Sequence, residues 1–302
     1  MERFKVCIAG AGLIGSGLGV NALTHGFPVA MWVFADWEIE LCQKRVGEML
    51  DTLEKNEAIT AAQKADALSR VTYTTDLKEA VTGSGFIIEG GPENTEVKKK
   101  FYAQIEDYCE PDVVISSTTT AKLPSQLQEG AKHPERILVG HPYNPAYLLP
   151  LVEICGGKQT EEKYIQYAVK FFEEIGKVAP ICRKEISGYI VNRVNWAVSD
   201  EAQKTVRDGV CTVEDMDKAI IYGPGLRFAI TGQLLTLSLG VDGGFRKMEE
   251  KYGNPIPEAE KIAQGVDEEM ANRDPAIGND PDSISAYRDS MIIKMLKLHG
   301  LM

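Results

Sequence analysis

The sequence predicts an α/β protein in which a doubly wound parallel sheet precedes a smaller all-helical domain. Short apolar, β-prone runs alternate with helical patterns from residue 4 to residue 182, as in a parallel sheet covered by helices. A glycine-rich turn, GAGLIG at residues 10–15, joins the first strand pattern to the first helix. Beyond residue 187 the alternation stops, and helical patterns follow one another with glycine and proline between them.

The elements follow from the apolar periodicity, taken in chain order. Strands are predicted over residues 4–9, 28–34, 71–74, 85–89, 113–117, 136–140 and 178–182. Helices are predicted over residues 10–26 (after the turn), 37–68, 93–109, 160–176, 189–208, 213–222 and 227–239. Residues 272–283, rich in turn formers, are predicted to be a surface loop. We place the two domains at residues 1–185 and 186–302. The helical domain is small, so we expect it to form a homodimer interface.

The composition is that of a globular protein with an acidic surface. Of 302 residues 44% are apolar, and 33 Lys and Arg against 44 Asp and Glu give a net charge of −11. This charge argues against nucleic acid or an anionic membrane as a partner. The six cysteines contain no CxxC pair, which is typical of a reducing cytoplasm and gives no support to a metal site. No run reaches the roughly 18 apolar residues of a membrane span, so we expect a cytoplasmic protein.

The GAGLIG turn has the spacing of a dinucleotide-binding motif. In that motif Gly10 makes the tight turn, Gly12 lets a diphosphate approach the backbone, and Gly15 lets the helix pack closely on the strand. The helix then begins around Leu13 and Ile14, where free N–H groups favour the anionic diphosphate. The first domain is therefore predicted to be a Rossmann-type domain that binds a dinucleotide.

The second strand lacks the acidic residue that usually binds the adenosine ribose. That position falls at Val33, and the nearest carboxylate is Asp36. Either Asp36 takes the role in a reshaped loop, or the adenosine is bound in an unusual way. Residues 33–43 contain no Lys or Arg for the 2′-phosphate of NADP, so the sequence favours NAD as the cofactor.

A histidine and a carboxylate form the second candidate site. His141 opens the segment HPYNP directly after the strand predicted over residues 136–140, at the sheet edge where doubly wound folds bind ligands. Glu153 lies twelve positions later in the segment PLVE. A histidine oriented by a carboxylate is a suitable general base near neutral pH, so this pair is the candidate catalytic centre.

Together these segments resemble the 3-hydroxyacyl-CoA dehydrogenase superfamily over roughly residues 4–245. The matching segments are GAGLIG, IE and PEN within residues 88–94, the run SSTTT at residues 116–120, HPYNP with PLVE, and GYIVNR at residues 188–193. CoA-dependent members typically read HFFNP, so this chain is more similar to the free-acid branch, which includes L-carnitine dehydrogenase and L-gulonate 3-dehydrogenase (lambda-crystallin). The segments YGPGLRF at residues 222–228 and DGG at residues 242–244 favour the carnitine enzymes.

The resemblance implies a role for several residues. Four are implied to act in catalysis: His141 as the base, Glu153 as its orienting carboxylate, and Thr119 and Asn192 as partners of the substrate oxygen. Thr119 stands where the family has a serine, and Thr118 and Thr120 are close alternatives. Three residues are implied to lie near the nicotinamide half of the cofactor: Glu93, Lys98 and Asn144. As alternatives, Glu93 could be a carboxylate in the first turn of a helix, favoured by the helix dipole, and Lys98 a solvated charge.

The substrate is expected to be a small 3-hydroxy acid, with a carnitine-like molecule favoured. Arg227 has the geometry to bind a carboxylate in bidentate fashion, and Tyr143 is one of several aromatic residues that could contact a quaternary ammonium. An exposed helix-end cation and ordinary core packing are the alternatives for these two residues. A 3-hydroxybutyryl-CoA dehydrogenase, an L-gulonate 3-dehydrogenase and a non-catalytic NAD-binding structural protein are the alternative functions.

Overall fold

The computed structural model describes residues 3–302, which divide into two compact units meeting between Trp196 and Ala197. The first unit contains the sheet, and the second is helical. The predicted domain boundary after residue 185 lies before this division, because the helix that begins at Val191 runs through it. The fold class predicted from the sequence is confirmed.

The first unit is built on one eight-stranded sheet. Its strands are β1 (Lys5–Ala9), β2 (Val29–Trp32), β3 (Val71–Thr74), β4 (Ser84–Glu89), β5 (Val114–Ser117), β6 (Ile137–Pro142), β7 (Val152–Gly156) and β8 (Ile181–Cys182). They lie in the order β3-β2-β1-β4-β5-β6-β7-β8. All pairs are parallel except β6 with β7, which are antiparallel.

Strand β7 corrects the prediction of a wholly parallel sheet. The sequence patterns did not predict a strand over residues 152–156, and the predicted strand over residues 178–182 is reduced to Ile181–Cys182. A parallel return requires a crossover of about a dozen residues or more, usually a helix. The segment between β6 and β7 is shorter than that, so the chain turns back beside β6 in the antiparallel direction.

Helices cover both faces of this sheet, and the core fills the space beneath them. They are α1 (Leu13–Thr24), α2 (Trp37–Lys55), α3 (Ala61–Ser69), α4 (Leu77–Val81), α5 (Thr95–Glu106), α6 (Pro124–Leu127) and α7 (Glu162–Glu174). The next helix, α8 (Val191–Arg207), begins in this unit and continues into the second. Successive residues of β1 pack alternately into two buried clusters, as expected for a sheet covered on both sides.

The single helix predicted over residues 37–68 is two helices, α2 and α3. Helix α2 ends at Lys55, and α3 starts after Thr60. The Thr60 side chain accepts from the Gln63 N–H while the Gln63 side chain accepts from the Thr60 N–H, which is a capping box. The apolar stripe continues across the break, so periodicity alone did not show it.

The second unit consists of helices with short breaks. They are α9 (Val213–Ile220), α10 (Leu226–Thr231), α11 (Gln233–Leu239), α12 (Met248–Tyr252), α13 (Ala259–Asn272) and α14 (Pro281–Leu298). The loop predicted over residues 272–283 ends earlier, because Asp280 accepts from two N–H groups of the first turn of α14. Across residues 3–302, no helix combines the length and the apolar character needed to cross a bilayer.

Candidate active site

The glycine turn has the geometry that a dinucleotide requires. Gly10 has a φ of +112°, and a Cβ there would lie 2.7 Å from the carbonyl carbon of Gly90. A Cβ on Gly15 would lie 2.4 Å from the Gly10 carbonyl oxygen, so α1 packs against the turn at backbone distance. Gly12, the N-cap of α1, has open space where a Cβ would be and no side-chain cap. The exposed N-terminus of α1 is therefore free to bind a diphosphate.

A cavity of about 590 Å³ opens in front of this turn. One wall is the glycine turn, and a second comes from the end of β2 and from α2. The third wall comes from the segment after β4 and from α5. Its size suits a dinucleotide half, and it lies at the carboxyl edge of the parallel strands, where doubly wound folds bind their ligands.

A buried carboxylate organises the segment after β4. Glu89, at the end of that strand, is fully buried and accepts hydrogen bonds from Lys98 Nζ (2.8 and 3.0 Å), the Tyr102 hydroxyl (2.8 Å), the Ser117 hydroxyl (2.7 Å) and the Gly91 N–H (2.5 Å). Burial, with the neighbouring carboxylate, raises the pKa of Tyr102 well above its ordinary value, so this hydroxyl stays a donor. The network fixes one wall of the cavity.

Lys98 belongs to that network. It lines the cavity, yet its ammonium bonds both Glu89 oxygens and also the Gly91 carbonyl, at 3.1 Å. The side chain is 1% exposed. Three acceptors satisfy its three protons, so the nicotinamide contact implied by the resemblance has no free donor at this residue in the observed arrangement.

Glu93 connects two segments at the same sheet edge. Its carboxylate accepts from the Thr119 hydroxyl at 2.6 Å and from the Thr120 N–H at 3.0 Å. Thr119 is 1% exposed, whereas Thr120 is exposed. The Thr119 hydroxyl is thus buried and committed to Glu93, and Thr120, one of the alternatives left open by the sequence, presents the accessible hydroxyl.

His141 and Glu153 face each other across the β6–β7 pair. They are direct cross-strand partners in the antiparallel register, which places both side chains on one face of the sheet. His141 Nδ1 and Glu153 Oε2 are 2.8 Å apart, and the side chains are 2% and 1% exposed. A carboxylate accepts at Nδ1, so the neutral imidazole carries its proton there and leaves the Nε2 lone pair to accept a proton.

The second oxygen of Glu153 holds the start of α8. Glu153 Oε1 accepts from the N–H groups of Ile190 and Val191, at 2.9 and 2.8 Å. Asn192 is the next residue, half-buried in the first turn of α8. Both carboxylate oxygens are thus hydrogen-bonded, and Glu153 is held in one orientation toward His141.

Tyr189 packs against the His141 imidazole. Its ring lies 5.0 Å from the His141 ring, centroid to centroid, and its hydroxyl donates to the Lys122 carbonyl at 2.6 Å. The residue is 1% exposed, and burial raises the pKa of its hydroxyl, which therefore remains protonated. Tyr189 joins three parts of the site: the His141 ring, the segment that carries the threonines, and the start of α8.

The remaining predicted site residues have few recorded contacts with the cavity or with the His141–Glu153 pair. Asp36 is exposed, accepts from the Thr75 hydroxyl at 2.9 Å, and is absent from the residues that line the described cavity. Asn144 is exposed and Tyr143 half-buried in the segment after β6. Arg227 is exposed on α10, in the second unit. The binding roles of Tyr143, Asn144 and Arg227 stay predictions, whereas Asp36 does not face the cavity in this arrangement.

Sequence reasoning missed three residues that the structure places at the cavity or beside His141. Glu38 and Arg45 line the cavity from α2, and Tyr189 contacts His141. The α2 residues lie seven positions apart, which puts them on one face of the helix, and this spacing was readable. The contact of Tyr189 depends on tertiary packing and has no local signal. No group of three or more His, Cys, Asp or Glu that could hold a metal is present within the described part of the chain.

The fold and these side chains define an oxidoreductase that uses a dinucleotide. The family model for the 3-hydroxyacyl-CoA dehydrogenase NAD-binding domain matches residues 5–186, and the model for the C-terminal domain of the same family matches residues 188–275. The chain belongs to the 3-hydroxyacyl-CoA dehydrogenase family. It is an NAD-dependent dehydrogenase that acts on a CH–OH group.

Among individual relatives, the chain is similar to L-carnitine dehydrogenase from a Pseudomonas species, with 35% identity over 96% of this chain and 92% of the relative. Among solved structures, FadB2 from M. tuberculosis has 28% identity and a TM-score of 0.68, covering 88% of this chain and 94% of the other. The 3-hydroxybutyryl-CoA dehydrogenase of Escherichia coli K12 has 26% identity and a TM-score of 0.70, over 79% of this chain and 50% of that longer chain.

Proposed function

We propose that this dehydrogenase oxidises the C3 hydroxyl of a free 3-hydroxy acid, with L-carnitine as the favoured substrate and the His141–Glu153 pair as the general base. The observation that carries the base assignment is the 2.8 Å contact between these two buried side chains at the sheet edge. The similarity to L-carnitine dehydrogenases over nearly the whole chain supports the substrate. HPYNP in place of HFFNP also supports a free acid rather than a CoA ester.

The proton transfer follows from the tautomer of His141. Its Nε2 takes the proton of the substrate hydroxyl, and the imidazolium that forms is stabilised by Glu153 through Nδ1. NAD, held at the glycine turn, would supply the acceptor for the hydride from C3, which would give a 3-oxo acid and NADH. Because Glu153 is held by two N–H groups of α8, it keeps His141 aligned throughout the reaction.

Other residues bind and orient the substrate. Asn192 follows directly on the N–H groups that hold Glu153, so its amide is assigned to the substrate oxygen. A threonine hydroxyl is assigned as the second partner of that oxygen, and the exposure of Thr120 favours it over the buried Thr119. Tyr143, Asn144 and Arg227 are retained as binding residues: Asn144 on the cofactor, and Tyr143 and Arg227 on the substrate.

A panel of substrates tests this proposal. The purified chain is mixed with NAD and each of L-carnitine, L-gulonate, 3-hydroxybutyrate and 3-hydroxybutyryl-CoA, and NADH formation is followed by absorbance. We expect the highest kcat/KM with L-carnitine. A higher kcat/KM with the CoA ester would overturn the free-acid assignment. A higher kcat/KM with L-gulonate would keep the free-acid assignment and overturn the choice of L-carnitine.

Assembly and location are part of the same proposal. Apolar side chains of α8, α9 and the following turn are exposed, among them Val198 (40%), Val213 (64%), Ile221 (47%) and Tyr222 (48%). Covering such a surface is a common reason for dimerisation, so a homodimer through the helical domain is expected, and light scattering after size-exclusion chromatography measures it. The cysteines, none of which is in a disulfide among the described residues, support a cytoplasmic location.

A further inference from the structure

The adenosine end of the cavity is lined by the segment after β2 and by α2, which we call the β2–α2 edge. Val33, where NAD enzymes usually carry an acid, is 4% exposed and apolar. Asp36 does not line the cavity and is bonded to Thr75. Neither position therefore offers a carboxylate to a ribose, although the cofactor of this dehydrogenase is NAD.

Glu38 supplies a carboxylate at this edge. It is half-buried in the first turn of α2 and lines the cavity. Its Oε2 accepts from the N–H groups of Phe34 and Ala35, at 2.8 and 3.2 Å, whereas its Oε1 has no hydrogen-bond partner in the part of the chain described. The carboxylate is thus fixed by the backbone with one oxygen left available.

The surrounding side chains fit an adenosine. Phe34 is 83% exposed and, with Leu41 and Val97, presents apolar surface on two sides of the cavity. Purine rings bind between apolar walls of this kind. Arg45 lies on the same face of α2, and its guanidinium donates to the Ala11 carbonyl in the glycine turn at 3.0 Å. Its positive charge is thereby held beside the turn that receives the diphosphate.

We propose that Glu38 is the residue of this chain that selects NAD over NADP, by accepting hydrogen bonds from the adenosine ribose hydroxyls through Oε1. The same fixed negative charge repels the 2′-phosphate of NADP, so one side chain provides both attraction and exclusion. Arg45 serves the diphosphate side of the cavity. The inference concerns the adenosine half of the cofactor, and it is independent of the hydroxy acid and of the His141–Glu153 pair.

Calorimetric binding of ADP-ribose and 2′-phospho-ADP-ribose tests this assignment without catalysis. The wild-type chain is expected to bind ADP-ribose at least about tenfold more tightly, because a hydrogen bond to a charged group contributes about that factor. In Glu38→Gln, ADP-ribose binding weakens about tenfold and binding of the 2′-phosphorylated ligand strengthens, so the preference is lost. Glutamine still accepts from a backbone N–H, so the loop is preserved, and the melting temperature verifies this.

Two further variants make the outcome decisive. Asp36→Asn removes the same charge two residues away, outside the cavity lining, and it is expected to leave both affinities unchanged. Arg45→Met is expected to weaken both ligands by a similar factor, because both carry the diphosphate. The proposal is overturned if wild type binds the two ligands equally, if Asp36→Asn changes the preference as Glu38→Gln does, or if Arg45→Met weakens the 2′-phosphorylated ligand alone.

Discussion

His141 and Glu153 lie on the adjacent strands β6 and β7, at what we call the β6–β7 edge, and are nearly fully buried and hydrogen-bonded within the chain. At the β2–α2 edge, by contrast, Phe34 is 83% exposed and Glu38 keeps a free oxygen. Both edges belong to the same sheet, and the contrast agrees with the different roles proposed for them. A proton-transferring pair must be oriented before substrate arrives, because misalignment lowers the rate. A binding surface for adenosine can stay open, because the cofactor itself covers it. The difference suggests that the two edges can be altered separately.

The largest effect is expected at the β6–β7 edge. His141→Gln removes the base while keeping a side chain of similar length, and kcat should fall by a factor on the order of 10²–10⁴. NAD affinity should remain within about twofold of wild type, measured by calorimetry. His133→Gln is the control: His133 is a loop residue whose ring contacts Glu135 at 3.2 Å, and its replacement should leave kcat unchanged. A loss of NAD affinity in His141→Gln would mean that the two edges are not separable, and an equal loss of kcat in the control would mean that the effect is not specific to His141.

At the glycine turn, the expected loss is in NAD binding. A Cβ on Gly15 meets the Gly10 carbonyl oxygen at 2.4 Å, so Gly15→Ala must displace the turn, at a cost of about 1–3 kcal/mol. NAD binding should weaken about tenfold or more, and unfolding in urea should show the lost stability. Gly47→Ala is the matched control, because no atom lies within 4 Å of its Cβ position within α2. That variant should be as stable as wild type or slightly more stable; a loss equal to that of Gly15→Ala would contradict the close-approach argument.

A smaller effect is expected from Tyr189. Tyr189→Phe removes the hydrogen bond to the Lys122 carbonyl and keeps the ring against His141, so the free energy of unfolding should fall by about 1 kcal/mol. Tyr189→Leu also removes the ring contact and should lower kcat further than Tyr189→Phe does. Equal kcat values for the two variants would show that the ring does not position His141.

A pH dependence of stability is expected near the β6–β7 edge. Lys177 is buried and donates to the Ala146 and Leu149 carbonyls of the segment after β6, and desolvation lowers its pKa to about 8. Its unfolded pKa is about 10.4, so between these values the unfolded chain binds a proton that the native chain has released. Stability relative to Lys177→Met should therefore rise from pH 8 to pH 10. Urea unfolding at three pH values measures this difference; a flat or falling difference would contradict the lowered pKa.

Much of the fold was predictable, because the sheet and the glycine turn have local signals. Apolar runs mark the parallel strands, and the spacing of residues 10–15 predicts a backbone path that any side chain at Gly15 would block. Strand β7 was missed, since its short apolar run is interrupted by Glu153. The proximity of His141 and Glu153 was expected from the resemblance, and the cross-strand register supplies its physical reason.

The partners of individual polar groups were not predictable. Asp36 and Glu38 are two residues apart in the sequence and equally acidic, and only the backbone geometry after β2 decides which one faces the cavity. The same holds for Thr119 and Thr120, which are adjacent but differ in burial, and of which only Thr119 donates its hydroxyl to Glu93. Local sequence determines which residue types are present at a sheet edge, and tertiary packing determines which of them are accessible.

The central claim is that His141 and Glu153 act as one catalytic unit. The most direct measurement is kcat for His141→Gln, Glu153→Gln and the double variant, using the preferred substrate of the panel, with NAD binding and folding verified for each. If the pair is one unit, Glu153→Gln alone lowers kcat substantially, and the double variant is no slower than His141→Gln, within about twofold. Losses that multiply in the double variant would show that the two side chains act independently and would contradict the account.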